Sequence, residues 1–253
     1  MPQTPEFGRR VIVTCDAKGY GGSDELTQHQ FQEAIPALLG IAAVNSGLDR
    51  KEWHIAPGGD GEMAVLPATA QETHLLDRYV PEVEYALRRH NHNRTEAGRL
   101  RLRMVVHHGS AVHSASGYSG NGIVTAARVV DSDALRAVLE GSGADLVVAV
   151  TAPVHQDVVS QGHTRLRPED FVLTTVRNKE YEEPVWVHVP GQRPVSGQVH
   201  ADDRGDGATR TTAPVPAAPE RSAPGRGHRE SSAVTNVVHG DVDASNATFG
   251  VRY

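Results

Sequence analysis

The amino-acid sequence predicts an α+β fold of the ferredoxin-like, split βαβ type, followed by a disordered linker and tail. Over residues 1–190, strand-like and helix-like segments follow one another in the order β-α-β-β-α-β and then α-β-α-β-β. The second and third strand-like segments flank the tight turn Pro57–Gly61, which is typical of an antiparallel hairpin. From Gly191 to Ser232 the chain has no Leu, Ile, Met or aromatic residue, so burial cannot offset its ordering entropy. We therefore predict a domain at 1–190, a linker at 191–232 and a short strand-like tail at 233–253.

Apolar spacing defines the elements in the first half of the domain. A short strand at Val11–Cys15 leads into a Gly-rich loop. Ser23 and Asp24 can then cap a helix that ends at Asn45-Ser46-Gly47. Two short strands are expected at 53–55 and 63–66. The spacing from Leu75 to Leu87 predicts a second helix.

The second half of the domain begins with an alternating segment, Leu100–Val106, which predicts a half-buried strand. A stretch rich in glycine leads into one helix predicted over 123–139. A strand at 145–150, a short helix at 153–159 and closing strands at 171–176 and 185–189 complete the domain. The split βαβ pattern favours helices on one face of the sheet.

The composition of the chain argues against two classes of partner and favours one cellular location. The chain has 253 residues and a formal net charge of -6, without the basic patch that nucleic-acid binding requires. Its one cysteine, Cys15, excludes an internal disulfide and favours a cytoplasmic location. Residues Met1–Arg10 lack the apolar region of a signal peptide, and no apolar run approaches the roughly 18 residues of a membrane span. We expect neither nucleic acid nor a membrane as partner.

Two aspartates occupy positions that a split βαβ sheet brings together. Asp16 ends the first strand, and Asp60 lies in the Gly-Gly-Asp-Gly turn of the hairpin. Paired carboxylates there would form a hard-oxygen site for Mg²⁺ or Mn²⁺ bound to phosphate oxygens. The alternative is that both are simply turn residues, since Asp favours turns in any protein.

Four segments give the domain a resemblance to a known family. They are VIVTCDAKGYGGS, GGDGEMAVLP, RLRMVVHHG and GNGIVTAARVV. In order and spacing they resemble the class III nucleotidyl cyclases, the adenylate and guanylate cyclase homology domains, over residues 11–189. The pattern looks most like a large actinobacterial group of cyclase-like proteins. The resemblance implies the class III cyclase fold.

The resemblance also implies roles for individual residues. Asp16 and Asp60 match the two metal-binding aspartates, and Arg128 matches the catalytic arginine that stabilises charge on the triphosphate. The expected nucleotide contacts are Gly19, Gly59, Gly61 and Asn121. Because the family combines residues of two protomers in one site, a homodimer or heterodimer is implied.

Two departures from the family pattern weaken the expected chemistry. Val124 replaces the catalytic asparagine four residues before Arg128, so no polar group there can orient the ribose. The purine-reading residue falls at Ala56, which cannot hydrogen-bond to a base. Losing one positioning group can cost several kcal/mol of barrier, although Thr125 or Asn121 could substitute for the missing donor.

The tail alternates apolar or small residues with polar ones at 236–244 and 247–253, which predicts strands. It resembles bacterial amyloid-signalling motifs, which recruit an effector protein by stacking with like segments. A disordered tail is the alternative.

Three functional hypotheses follow from the sequence. The first is a degenerate cyclase-like signalling domain that binds a metal–nucleoside triphosphate with weak or no catalysis. The second is an active adenylate or guanylate cyclase. The third is a scaffold whose tail recruits an effector through β pairing.

Overall fold

A computed structural model describes residues 7–193 of the chain, apart from 116, 179 and 180. The predicted tail at 233–253, and the predicted linker from residue 194 onward, lie outside the described residues. Within the described part, no helix is long and apolar enough to cross a membrane.

The described residues form one mixed sheet with helices on both of its faces. The strands are β1 (Phe7–Ala17), β2 (His54–Pro57), β3 (Gly61–Val65), β4 (Leu102–Ser114), β5 (Gly117–Ser119), β6 (Leu146–Thr151), β7 (Val172–Asn178) and β8 (Tyr181–His188). The helices are α1 (Glu25–Ser46), α2 (Glu72–His74), α3 (Val80–Asn91), α4 (Asn121–Val130), α5 (Asp133–Ser142) and α6 (Ala152–Val154). A π-helical turn, Leu75–Tyr79, joins α2 to α3, and a second, His155–Val159, follows α6.

Strand order places β1 and β4 at the centre of the sheet. The order is β2-β3-β1-β4-β6-β8-β7, with β5 pairing to the end of β4. β1 is antiparallel to both β3 and β4, whereas β4 and β6 are parallel. The parallel pair requires a crossover, which α4 and α5 provide. This α+β architecture confirms the predicted fold class.

β4 differs from its expected half-buried character. Every residue from Leu102 to Val106 is buried, including Arg103. Met104 belongs to the core cluster under α1 and α3, whereas Val105 belongs to the cluster under α4 and α5. The expectation of helices on one face was therefore wrong, because the crossover helices cover the second face.

The long helix α1 forms as its sequence signals predict. The Asp24 side chain accepts a hydrogen bond from the Thr27 backbone N–H at 2.7 Å, which caps the first turn. Phe31 and Ile35 are buried on one face. Gly47 ends the helix in the left-handed conformation (φ 75°), which glycine adopts without steric cost.

The helix predicted over 123–139 is in fact two helices. The chain turns at Asp131 and Ser132, and the Ser132 hydroxyl accepts a hydrogen bond from the Leu135 N–H at 3.4 Å. The same hydroxyl donates to the Val129 carbonyl at 2.7 Å. Ser132 thus ends α4 and caps α5, because its hydroxyl bonds to the backbone of both helices. Apolar spacing alone does not reveal this break.

A buried histidine lies in the centre of β4. His107 Nδ1 is 2.7 Å from the Thr151 hydroxyl. Burial, together with the charges of His108 and Arg9, lowers the pKa of His107 to about 4. In the unfolded chain this pKa is about 6.5, so the unfolded state binds the extra proton first as the pH falls. Stability is therefore lost below about pH 6.5, until the folded protein also binds the proton near pH 4.

We expect His107→Gln to remove part of this acid sensitivity. Between pH 8 and pH 5, the free energy of unfolding of the parent should fall by about 2 kcal/mol more than that of the variant. Urea denaturation of the full chain at both pH values measures the difference. His92→Gln changes an exposed histidine and should keep the parent's pH dependence. Equal pH dependence in the parent and His107→Gln would contradict the prediction.

Candidate functional site

The pairing of β1 with β3 brings the two candidate metal aspartates together. In this register Asp16 lies opposite Gly61, the residue after Asp60. The Ala17 N–H donates to the Asp60 carbonyl oxygen at 2.7 Å, which joins the end of β1 to the hairpin turn. Asp16 and Asp60 consequently line the same cavity, of about 340 Å³.

The glycines around Asp60 allow close packing of the turn. A Cβ atom at Gly61 would lie 2.0 Å from the Cys15 carbonyl oxygen, so only glycine fits against β1 there. A Cβ atom at Gly59 would lie 3.4 Å from the Tyr20 hydroxyl oxygen. Tyr20 follows Gly19, whose φ of 76° turns the chain after β1. These three glycines bring the loop after β1 against the hairpin turn.

Arg103 is a site residue that the sequence analysis missed. It lies opposite Asp16 in the β1–β4 register, and its Nη2 forms an ion pair with the Asp16 carboxylate. The two side chains are only 6% and 16% exposed. Burial lowers the pKa of Arg103, and its Nε has no hydrogen-bond partner. Its pairing with Asp16 depends on the register of two strands that are distant in sequence, which no local sequence signal gives.

A second cavity, of about 270 Å³, adjoins the first. Asp60 lines both cavities, and Lys18, Arg103 and Arg136 line the second. Arg136 comes from α5, whose end is fixed by the buried Arg101. The Arg101 Nε donates to the Ala144 carbonyl at 2.7 Å, and its Nη2 donates to the Leu139 carbonyl. One end of the sheet thus presents two carboxylates beside a group of cations.

Solved structures similar to this chain include nucleotidyl cyclases. A guanylyl cyclase, Cya2, gives a TM-score of 0.52 at 16% identity, and the match covers 76% of this chain and 98% of the other. An adenylate/guanylate cyclase/hydrolase from Silicibacter pomeroyi gives 0.54 at 21% identity, covering 74% and 99%. The fold is that of class III nucleotidyl cyclase domains.

A bacterial light-regulated adenylyl cyclase extends this likeness, with a TM-score of 0.52 at 14% identity over 76% of this chain and 55% of the other. No protein-family profile matches the sequence, and no curated protein matches it. These structural likenesses confirm the fold that the resemblance implied.

In this cyclase fold, α4 carries the remaining candidate residues. Its start packs directly on β4, because Cβ atoms at Gly109 and Gly122 would each lie 2.9 Å from backbone atoms of the other glycine. Asn121, Val124 and Arg128 are all exposed on α4. Arg128 is not among the residues that line the two cavities described above.

The two departures from the family pattern also have defined positions. Ala56 lies on the edge strand β2, opposite Met63, and lines the larger cavity. Val124 is 43% exposed, one helical turn before Arg128. Its apolar side chain offers neither a hydrogen-bond donor nor an acceptor.

Mg²⁺ or Mn²⁺ fits the donor chemistry of Asp16 and Asp60, since both ions prefer carboxylate oxygens. Among the residues that the structure describes, no group of three or more His, Cys, Asp or Glu side chains is placed to hold a metal ion. The protein would therefore contribute few ligands, and phosphate oxygens or water would supply the rest. Arg103 competes with a metal for the Asp16 carboxylate.

We expect Gly61→Ala to lower the free energy of unfolding by about 2 kcal/mol or more, because the added methyl group would force β1 and β3 apart. The matched control is Gly40→Ala in α1, where a Cβ atom meets nothing within 4 Å. This control should be neutral or slightly stabilising, since alanine favours helix. Urea denaturation of the full chain measures both variants. Equal stability of Gly61→Ala and the parent would show that the strands tolerate a wider separation.

Proposed function

We propose that this chain carries a degenerate nucleotidyl cyclase-like domain that binds a metal–nucleoside triphosphate and makes little or no cyclic nucleotide. One observation supports it above all others. The β1–β3 register places Asp16 beside the turn that carries Asp60, whereas the position four residues before Arg128 on α4 holds the apolar Val124. This arrangement supports binding through the two aspartates, and the apolar Val124 supports the loss of catalysis.

In this proposal, Asp16 and Asp60 hold the metal ion through their carboxylates. When bound, Mg²⁺ or Mn²⁺ would neutralise phosphate charge and polarise phosphoryl oxygens. Tyr20 lies against the turn at Gly59, and its hydroxyl accepts a hydrogen bond from Gln32 Nε2 of α1 at 2.5 Å. The aspartates are therefore held by a rigid strand and a packed turn.

Arg128 would act on the site of a second copy or of a related chain. Its exposed position on α4 supports a homodimer or heterodimer, in which each α4 faces the aspartates of the other protomer. A guanidinium group there would stabilise the negative charge that develops on the triphosphate during reaction. Without a polar group at Val124, the ribose hydroxyl would not be oriented for attack, and cyclisation would be slow.

The proposal also includes a cellular location and a role in signalling. Cys15 is a buried free thiol; burial and the nearby Glu62 carboxylate raise its pKa to about 12, which makes it unreactive. Together with the absence of a second cysteine in the sequence, this favours a cytoplasmic location. The domain would act in signalling, and the segment 233–253 would recruit an effector protein.

We expect the full chain to bind Mn²⁺–ATP or Mn²⁺–GTP, and Asp60→Asn to weaken binding at least tenfold, because a charged metal ligand is lost. Isothermal titration calorimetry measures the affinity. Asp157→Asn, which removes an exposed carboxylate from the π-helical turn after α6, is the matched control and should bind as the parent does. Absence of nucleotide binding by the parent would overturn the proposal.

A product assay separates the degenerate domain from an active cyclase. With Mn²⁺ and ATP or GTP, we expect no cyclic product from the parent and measurable product from Val124→Asn, which restores a polar group one turn before Arg128. Mass spectrometry detects the product. The double variant Val124→Asn, Asp60→Asn should again make no cyclic product. Product from the parent that Asp60→Asn abolishes would instead identify an active cyclase, in which Thr125 or Asn121 orients the ribose.

A further inference from the structure

Three aromatic rings meet at the opposite end of the β2–β3 hairpin from Asp60. His54 begins β2 opposite Val65, and His113 near the end of β4 lies opposite Tyr118 of β5. The ring centroids of His54 and His113 are 5.2 Å and 5.0 Å from that of Tyr118, and 6.4 Å from each other. All three pairs are edge-to-face. We call these three residues the histidine cluster.

Close packing of the β4–β5 hairpin places the two histidines side by side. Gly117 has a φ of 113°, and a Cβ atom there would lie 2.7 Å from His54 Nε2. Only glycine therefore lets this hairpin come so close to β2. The Ser114 hydroxyl donates a hydrogen bond to the Gly117 carbonyl oxygen at 3.0 Å, which closes the hairpin. Backbone contacts thus bring together two imidazoles that are distant in sequence.

The ring nitrogens of both histidines are available to a ligand. His54 and His113 are exposed. Among the residues that the structure describes, no group forms a hydrogen bond or an ion pair with either imidazole. The buried His107, by contrast, has the Thr151 hydroxyl as a polar partner. Neutral imidazole is the commonest protein ligand of zinc, copper and nickel ions.

We propose that His54 and His113 bind one divalent transition-metal ion such as Zn²⁺, at a site separate from the two aspartates. Because Zn–N bonds are about 2.0 Å long, the centroids of two rings on one tetrahedral ion lie roughly 5 Å apart. Rotation of the exposed side chains closes the difference from 6.4 Å. Water completes the coordination, as at zinc sites with an open position. Imidazole favours these metals, whereas carboxylates favour Mg²⁺ or Mn²⁺.

A metal ion at this site restrains the part of the fold that leads into α4. β5 ends at Ser119, two residues before α4 begins at Asn121. An ion held by His54 and His113 links β2 to the β4–β5 hairpin, and so restrains the start of the helix that carries Arg128. The inference is independent of the proposed function, because it requires neither a nucleotide nor the aspartates.

Isothermal titration calorimetry of the full chain with Zn²⁺ tests the site. His54→Ala and His113→Ala should each weaken the tightest Zn²⁺ site at least tenfold, because a single remaining imidazole cannot chelate the ion. Matched controls are His92→Ala and His163→Ala, which change exposed histidines outside the cluster and should bind Zn²⁺ as the parent does. Asp60→Asn should also leave this site unchanged.

Electron paramagnetic resonance identifies the ligands directly. With less than one Cu²⁺ per chain, the parent should show coupling to two imidazole nitrogens, and each alanine variant at position 54 or 113 to one at most. Thermal unfolding establishes that each variant is folded, and His54→Gln or His113→Gln replaces an alanine variant that is not.

Three results would overturn the site. They are no Zn²⁺ binding by the parent, Zn²⁺ binding that is unchanged in both His54→Ala and His113→Ala, and binding that is lost only in Asp60→Asn. Lower thermal stability of the two alanine variants with unchanged Zn²⁺ affinity would also overturn it, and would show that the rings only pack the hairpin. Nucleotide binding that depends on Asp60, without any Zn²⁺ binding at the histidines, would leave the proposed function intact.

Discussion

The close contact between Gly61 and the carbonyl of Cys15 is the constraint on which the site depends. It allows β3 to pair directly with the end of β1, so that Asp16 lies opposite the residue after Asp60. A side chain at position 61 would separate the strands, and the turn could no longer pack under Tyr20. The position of both carboxylates is therefore a consequence of backbone packing.

The centre of the sheet also holds buried charges, which this packing surrounds. β4 is buried on both faces, yet it carries Arg103 among its apolar residues, and the buried Arg101 lies immediately before it. Both arginines have polar partners nearby. Arg101 donates hydrogen bonds to carbonyl groups at the end of α5, and Arg103 forms an ion pair with Asp16. A buried charge is tolerated only when it is paired in this way. The two arginines thereby link the fold of α5 to the position of Asp16.

Much of the fold was predictable from local signals. Asp24 and Gly47 define α1 because caps act within one helical turn, and the Gly-rich hairpin follows from turn chemistry. The division of α4 from α5 was not predictable from apolar spacing, because Ser132 interrupts a continuous apolar pattern. The burial of β4 on both faces depends on a crossover between distant strands, which no local pattern reports.

The site was predicted in part for similar reasons. Asp16 and Asp60 could be paired because strand ends and a hairpin turn are visible in the sequence. Arg103 could not be assigned, since its role depends on the register between β1 and β4. Arg136 could not be placed near the site because the sequence predicts one continuous helix over 123–139.

Because Val124 is exposed, substitutions at this position can accumulate at little cost to the stability of the domain. Substitutions at exposed helical positions usually alter stability little, whereas those at buried contacts such as Gly61 are costly. Position 124 can therefore change at little cost to the fold, whereas the strand contact at Gly61 that positions the carboxylate pair cannot. In the proposed function, a single substitution at this surface position would separate nucleotide binding from cyclisation without disturbing the fold.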